Sequence, residues 1–179
     1  MVIPPLLAAV GLLHNEPRLA IMPDDPALGE FRTTFGGQPG TIDEYPLPAS
    51  GQRPGFRGAV EIIPTGELWK RWQKGQARVD TAALLQDRLF DLFLGDWDRH
   101  DRQWRWMKLP AQDALVPLPE DRDQAFADFS GVVMSLARSV QKKLVAWHDD
   151  YSNLDGLLVQ PHEIDGWLLT GVGRRAFAA

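Results

Sequence analysis

Two short stretches hold the residues most suited to chemistry: FLGDWDRHDRQW at 93–104 and PEDRDQAF at 119–126. Between them they crowd Asp96, Asp98, Asp101, Asp121 and Asp123 among Trp97, His100 and Trp104. Carboxylates at this density repel one another unless water, arginine or a metal ion compensates. A solvated acidic face would account for the acids but not for the tryptophans threaded between them. Two carboxylate groups converging from separate loops make a hard-oxygen site suited to Mg²⁺ or Mn²⁺. Such ions keep several waters and take one or two protein carboxylates, which leaves room for phosphate oxygens.

Within this set the residues divide by role. Asp98 and Asp121 are the candidates for chemistry; Asp123 competes with Asp121 for the metal position, and Asp121 is favoured because Asp123 could instead pair with Arg99 or Arg122. Asp96 is expected to cap the turn or hold Arg99, and Asp101 to be solvated. His100 is expected to act as a hydrogen-bonding prop for the loop beside Asp98 rather than as its base. Trp97, Trp104 and Trp106 are expected in the core. His14, His148 and His162 show no ligand spacing. A metal phosphohydrolase centred on His100-Asp101, with His14 and a distant Asp, is a rival. Such enzymes place ligands on helices, whereas DRHDRQWRW reads as loop then strand.

The elements around these stretches determine whether they meet. Residues 5–13 suit a short buried helix started by Pro4-Pro5, and PRLAIMP a short strand. EFRTTFGGQPGTIDEYPLP suggests two strands about a turn at Gly36-Gly37, and residues 46–57 a loop. GAVEIIP reads as a strand, after which Thr65 caps a helix carrying Leu68, Trp69 and Trp72. Asp80 opens the clearest helix, TAALLQDRLFDLFL, with a stripe of Ala82, Leu85, Leu89, Leu92 and Phe93 inward and Gln86, Asp87 and Asp91 outward. Gly95 ends it. WRWMKL and LVPLP form a β-ribbon whose second strand Pro117 and Pro119 confine to an edge. SGVVMSLARSVQKKLVAW then reads as a helix with Val133, Leu136, Val140 and Leu144 inward, SNLDG as a turn, and PHEIDGWLL as a last helix. Folding back through the ribbon brings the two acidic loops side by side.

Composition bounds the class. The chain has 179 residues, 44% hydrophobic and 24% charged, an ordinary globular balance. A net charge of −5 argues against a general nucleic-acid binder. The local exception, RHDRQWRWMK, contains Asp101 and is flanked by aspartates. The absence of cysteine removes disulfides and thiolate metal sites. The apolar opening MVIPPLLAAVGLLH has no basic residue before it and is too short to span a membrane, so no signal peptide or transmembrane segment is expected.

Asp98 is followed five positions later by Gln103, and Asp121 opens the loop after the hairpin. Protein kinases space a catalytic Asp, a metal-binding amide and a second metal-binding Asp in this manner. GDWDRHDRQ resembles the Asp-Arg-His catalytic loop of the atypical kinases: phosphatidylinositol kinases, secretory-pathway casein kinases and, more distantly, HipA-type toxin kinases. DRDQAF resembles the metal-binding segment of the secretory kinases. The chain is also similar to a group of uncharacterised bacterial proteins carrying GDWDRH…QW and PRDRDQAF. The resemblance covers residues 93–126 closely and 80–129 in order of elements.

It implies an α+β fold, mostly a helical kinase-like C-lobe with a catalytic β-ribbon and a small partial N-lobe of a helix and short strands. The expected division is one incomplete kinase-like domain over 1–179. Residues 1–45 would be a remnant of N-lobe and hinge, 46–64 a linker and strand, and 65–179 the C-lobe. The resemblance further implies metal-dependent phosphoryl transfer from ATP to a hydroxyl acceptor. Asp98 would be the catalytic aspartate with His100 beside it, and Asp121, Gln103 and Asp123 the metal-side residues, with Mg²⁺ or Mn²⁺ as the ion. Two departures stand out: Gln103 occupies a position usually held by Asn or Glu, and no glycine-rich loop with a following lysine precedes the motif. They leave a second expectation, a catalytically inactive kinase-like module that serves as a binding scaffold.

Overall fold

The computed structural model describes residues 2–148, 150–151 and 154–170. The fold is α+β, with small antiparallel sheets and helices packed about one of them. Helix α1 (Ile3–Ala9) has proline in its first turn and buries Leu7. Strands β1 (Arg18–Ile21) and β2 (Pro39–Ile42) pair as an antiparallel ribbon, Leu19 opposite Thr41.

The strand expected at Glu30–Phe35 is instead a 3₁₀ turn over Pro26–Phe31 running into α2 (Arg32–Phe35). Local chemistry explains the correction. Asp25 accepts from the Ala27 N–H at 2.7 Å, and Arg32 pairs with Asp24 at 2.6 Å. The side chains thus offer the backbone a turn before it can extend.

The second sheet positions the acidic loops. Strand β3 (Glu61–Pro64) pairs with β4 (Trp104–Lys108), and β4 with β5 (Val116–Pro119), all antiparallel. The expected two-stranded ribbon is therefore three-stranded, with β5 at the edge as its prolines require. Alternation along β4 sends Trp104 and Trp106 to one face and Met107 to the other. The first face packs with Ile63, Leu68, Leu84, Leu115, Ile164 and Leu168, drawing in α3 (Thr65–Gln73), α4 (Thr81–Leu94) and a C-terminal helix. Met107 packs with Phe56, Ala59 and Leu118 on the opposite face. The three tryptophans are core residues, as expected.

Three expectations about the helices change. Thr65 does not cap α3: Pro64 holds the N-cap position, and the Thr65 hydroxyl donates to the Asp101 carbonyl at 2.7 Å and accepts from Trp106 Nε1 at 3.1 Å. Helix α4 has the predicted bounds, with Asp80 accepting from the Ala83 N–H and Gly95 left-handed, but its inward face differs. Leu84, Leu85, Asp87, Arg88, Asp91 and Leu94 are buried, while Leu89 and Phe93 are 45% and 58% exposed. Leucine and phenylalanine occur on most sides of this helix, so apolar periodicity alone does not select a face; buried arginines from the loops do.

Helix α5 (Val132–Val140) is shorter than expected and buries nothing. Val133, Leu136 and Val140, expected inward, are 71% or more exposed. Helices α6 (Asp155–Leu158) and α7 (His162–Leu168) follow, with Pro161 at the N-cap of α7. Part of the expected SNLDG turn, at 152–153, lies outside the described residues, as does GVGRRAFAA at 171–179. No helix among the described residues is long and apolar enough to cross a membrane.

Candidate functional site

The first acidic loop leaves α4 at Gly95 (φ 69°), where a Cβ would lie 2.7 Å from Tyr151 Oη and 3.1 Å from Trp147 Cδ1. Glycine there permits both the left-handed turn and the aromatic cover. The second loop leaves β5 at Glu120. Because β4 and β5 pair, with Trp104 opposite Pro119, the two loops run side by side at one end of the sheet. The Glu120 N–H donates to the Gln103 carbonyl at 2.8 Å, and the Phe126 N–H to the Leu94 carbonyl at 2.8 Å. The second loop is thus tied both to the first loop and to the end of α4.

Beneath them lies a buried ion network that the sequence reading did not anticipate. Asp91, wholly buried, receives three arginines. Arg99 Nε donates to its Oδ2 at 2.9 Å, Arg122 Nε to its Oδ1 at 3.0 Å, and Arg88 Nη1 to its Oδ2 at 2.8 Å. Arg99 also donates to Asp96 Oδ2 at 2.7 Å and to the Glu120 carbonyl at 2.5 Å, and lies over the Trp104 ring. Arg122 reaches Asp87 at 3.2 Å, and Arg88 reaches Asp165 of α7 at 3.0 Å. Asp96 thus holds Arg99, as expected. Asp123 pairs with neither Arg99 nor Arg122; both arginines are engaged with acids of the network.

Four carboxylates face three guanidinium groups, so one negative charge is in excess inside the protein. Burial pushes Asp87 up to about 7, a rise that Arg122 opposes and Asp91 reinforces. Burial likewise pushes Asp96 up to about 6, against the pull of Arg99. Asp165 is raised by burial too. Burial would also raise Asp91, but Arg99, Arg122 and Arg88 together outweigh it and hold that carboxyl below the usual range. The position of Asp91 at the centre of all three arginines accounts for the contrast.

The predicted site residues take these places. Asp98 is half-buried, and its Oδ1 accepts from Gln160 Nε2 at 3.0 Å. Its Oδ2 has no partner among the described residues. His100 bonds through its backbone, donating to the Asp98 carbonyl at 2.8 Å, while its ring Nδ1 is buried without a partner. The imidazole therefore does not prop the loop through that nitrogen. Gln103 places its amide Oε1 in the interior, also without a partner. Asp121 is exposed and left-handed (φ 56°), and its Oδ1 accepts from the Asp123 N–H at 3.1 Å. Asp101 is exposed, as expected. Gln160, Asp87, Asp91 and Arg122 were missed. The sequence signal for the network was Asp87, Arg88 and Asp91 together on a helix otherwise rich in leucine and phenylalanine.

Asp121, Glu120 and Asp123 line one side of a cleft of about 380 Å³ whose other side includes Leu7, Asp43 and Val2. The cleft therefore lies between the N-terminal segment and the second loop. No lysine lines it among the described residues, and Arg122 is committed to Asp87 and Asp91. Among the described residues no three His, Asp or Glu side chains converge as a metal cage. Gln103 Oε1 is nevertheless an orphaned oxygen donor, and Asp98 and Asp121 each retain a carboxylate oxygen. Oxygens of this type are those Mg²⁺ or Mn²⁺ takes, with Gln103 Oε1 in the interior and Asp121 at the surface. No protein-family model, curated protein or solved structure matches this chain.

Proposed function

We propose that the two loops carry out metal-dependent phosphoryl transfer from ATP to a hydroxyl acceptor, as a kinase-like domain would. The observation that supports this reading is the β4–β5 pairing, which sets the Asp98 loop beside the Asp121 loop at the edge of an acid-rich cleft. In this reading Asp121 and Gln103 would hold Mg²⁺ or Mn²⁺, with Asp123 alongside. When bound, the ion neutralises phosphate charge and aligns the transferring group. Asp98 Oδ2 accepts the proton of the acceptor hydroxyl, while Gln160 fixes the carboxylate through Oδ1. The apolar residues Val2 and Leu7 would cover the nucleotide and exclude water.

A second reading is supported by the absence of lysine from the cleft lining among the described residues. In that reading the domain has kept the loops as a binding scaffold without transfer activity. Calorimetry with Mn²⁺ and a non-hydrolysable ATP analogue, beside a transfer assay with ATP itself, separates the two. Metal-dependent binding by the wild type, lost at least tenfold in Asp121→Asn and retained in Asp98→Asn, with phosphate transfer lost in both, is the expected result. Binding without transfer by the wild type favours the scaffold. No metal-dependent binding by the wild type overturns the phosphoryl-transfer reading.

A further inference from the structure

The two candidate aspartates share a local feature: each is followed directly by an arginine, Asp98-Arg99 and Asp121-Arg122. Both arginines end on the same buried carboxylate. Asp91 Oδ2 receives Arg99 Nε at 2.9 Å, and Asp91 Oδ1 receives Arg122 Nε at 3.0 Å. Adjacent α-carbons across a trans peptide are about 3.8 Å apart. Pinning the two arginines therefore pins the backbone that carries each aspartate. We propose that Asp91 is a positioning residue: through Arg99 and Arg122 it fixes Asp98 and Asp121 relative to each other. This rests on the reading that the two aspartates work as one site.

Three features separate the arrangement from ordinary core stabilisation. Buried ion clusters contribute little net stability compared with apolar residues of the same volume, so their retention needs another reason. The hydrogen bonds are directional and divide Asp91 between the loops, whereas apolar contact would leave each loop free to slide. The other anchors of these arginines also bridge the loops: Arg99 reaches the Glu120 carbonyl in the second loop at 2.5 Å, and Arg122 returns to Asp87 on α4 at 3.2 Å. Each loop is therefore held against the other and against the same helix.

The test compares Asp91→Asn and Arg122→Gln with Leu84→Ala, a truncation in the apolar core seven residues from Asp91 on the same helix. All are studied at a temperature where circular dichroism shows them folded. Two readouts are used: Mn²⁺-dependent affinity for the ATP analogue, and amide hydrogen exchange at Gln103 and Asp123. The network variants should lose at least tenfold in affinity, and both amides should lose protection together, while Leu84→Ala changes affinity by less than twofold. Equal losses in all three variants, or unchanged affinity in Asp91→Asn, would overturn the proposal. If the wild type binds no metal-nucleotide, exchange alone decides. Joint loosening of both loops in Asp91→Asn but not Leu84→Ala supports the positioning role, and loosening of one loop or neither removes it.

Discussion

Single side chains here do unlike work with like chemistry. Acids crowd within and directly under the two loops, yet Asp91 is an interior anchor, Asp98 is oriented by an amide, and Asp121 is left at the surface in a left-handed backbone conformation. Asparagine and aspartate tolerate left-handed φ better than other non-glycine residues, and local strain of this kind concentrates at working sites. Thr65 is another case of context overruling type. Its hydroxyl joins the Asp101 carbonyl to the Trp106 indole, so Thr65→Ala leaves a buried N–H without a partner. That substitution should cost about 1–3 kcal/mol in urea denaturation, and Thr65→Ser should restore most of it. A Thr65→Ala variant as stable as wild type would show that the bridge contributes nothing. In the sequence, threonine before a helix pointed to a cap. The bridge was not legible because its partners lie 36 and 41 residues away.

At the scale of elements, α4 and the β4–β5 hairpin were legible, while the turn over 26–35, the third strand of the sheet, the length of α5 and the facing of α4 were not. Capping by Asp80, the stop at Gly95 and the prolines of β5 are local signals, and all three hold. The inward face of α4 depends on Arg99 and Arg122, which arrive from outside the helix, so the apolar pattern could not reveal it. The corrected facing makes a direct prediction. Leu84→Ala should destabilise by roughly 2–5 kcal/mol, as for a buried leucine, and Leu89→Ala by about 1 kcal/mol or less. Thermal denaturation of the two variants distinguishes the faces; the reverse order would restore the stripe read from the sequence. Helix α5 shows the same limit from the other side. Its amphipathic pattern is evident, but it covers nothing among the described residues. Nine residues are too few to hold a helix in water by propensity alone.

For the whole molecule, the excess buried charge links stability to pH. Asp87 and Asp96 have folded-state values of about 7 and about 6, above the ordinary 3.8. The folded state therefore binds more protons than the unfolded chain between those limits, and the stability they contribute is present at low pH and lost as pH rises through about 6 to 7. Asp91 has the opposite sign: its contribution is present above the ordinary carboxylate range and is lost in acid. The melting temperature should thus be highest near pH 4 and fall as pH rises to about 7. Asp87→Asn should make that decline shallower and remove its upper part, between about pH 6 and 7; an unaltered slope would mean that Asp87 is not the group responsible. The α+β class and the meeting of the two loops were legible because turns and a hairpin are local. The network was not, because it is assembled from four separate segments.

The pairing of β4 with β5 has a kinetic consequence as well. Arg99 and Arg122 cannot both reach Asp91 until that hairpin has formed in register. A shift of one residue along the ribbon would turn alternate side chains to the wrong face and leave Asp91 short of the partner that Arg122 supplies. An incorrectly paired chain is therefore penalised at the helix rather than at the strands. The acid near the end of α4 thus favours the hairpin register that delivers both arginines.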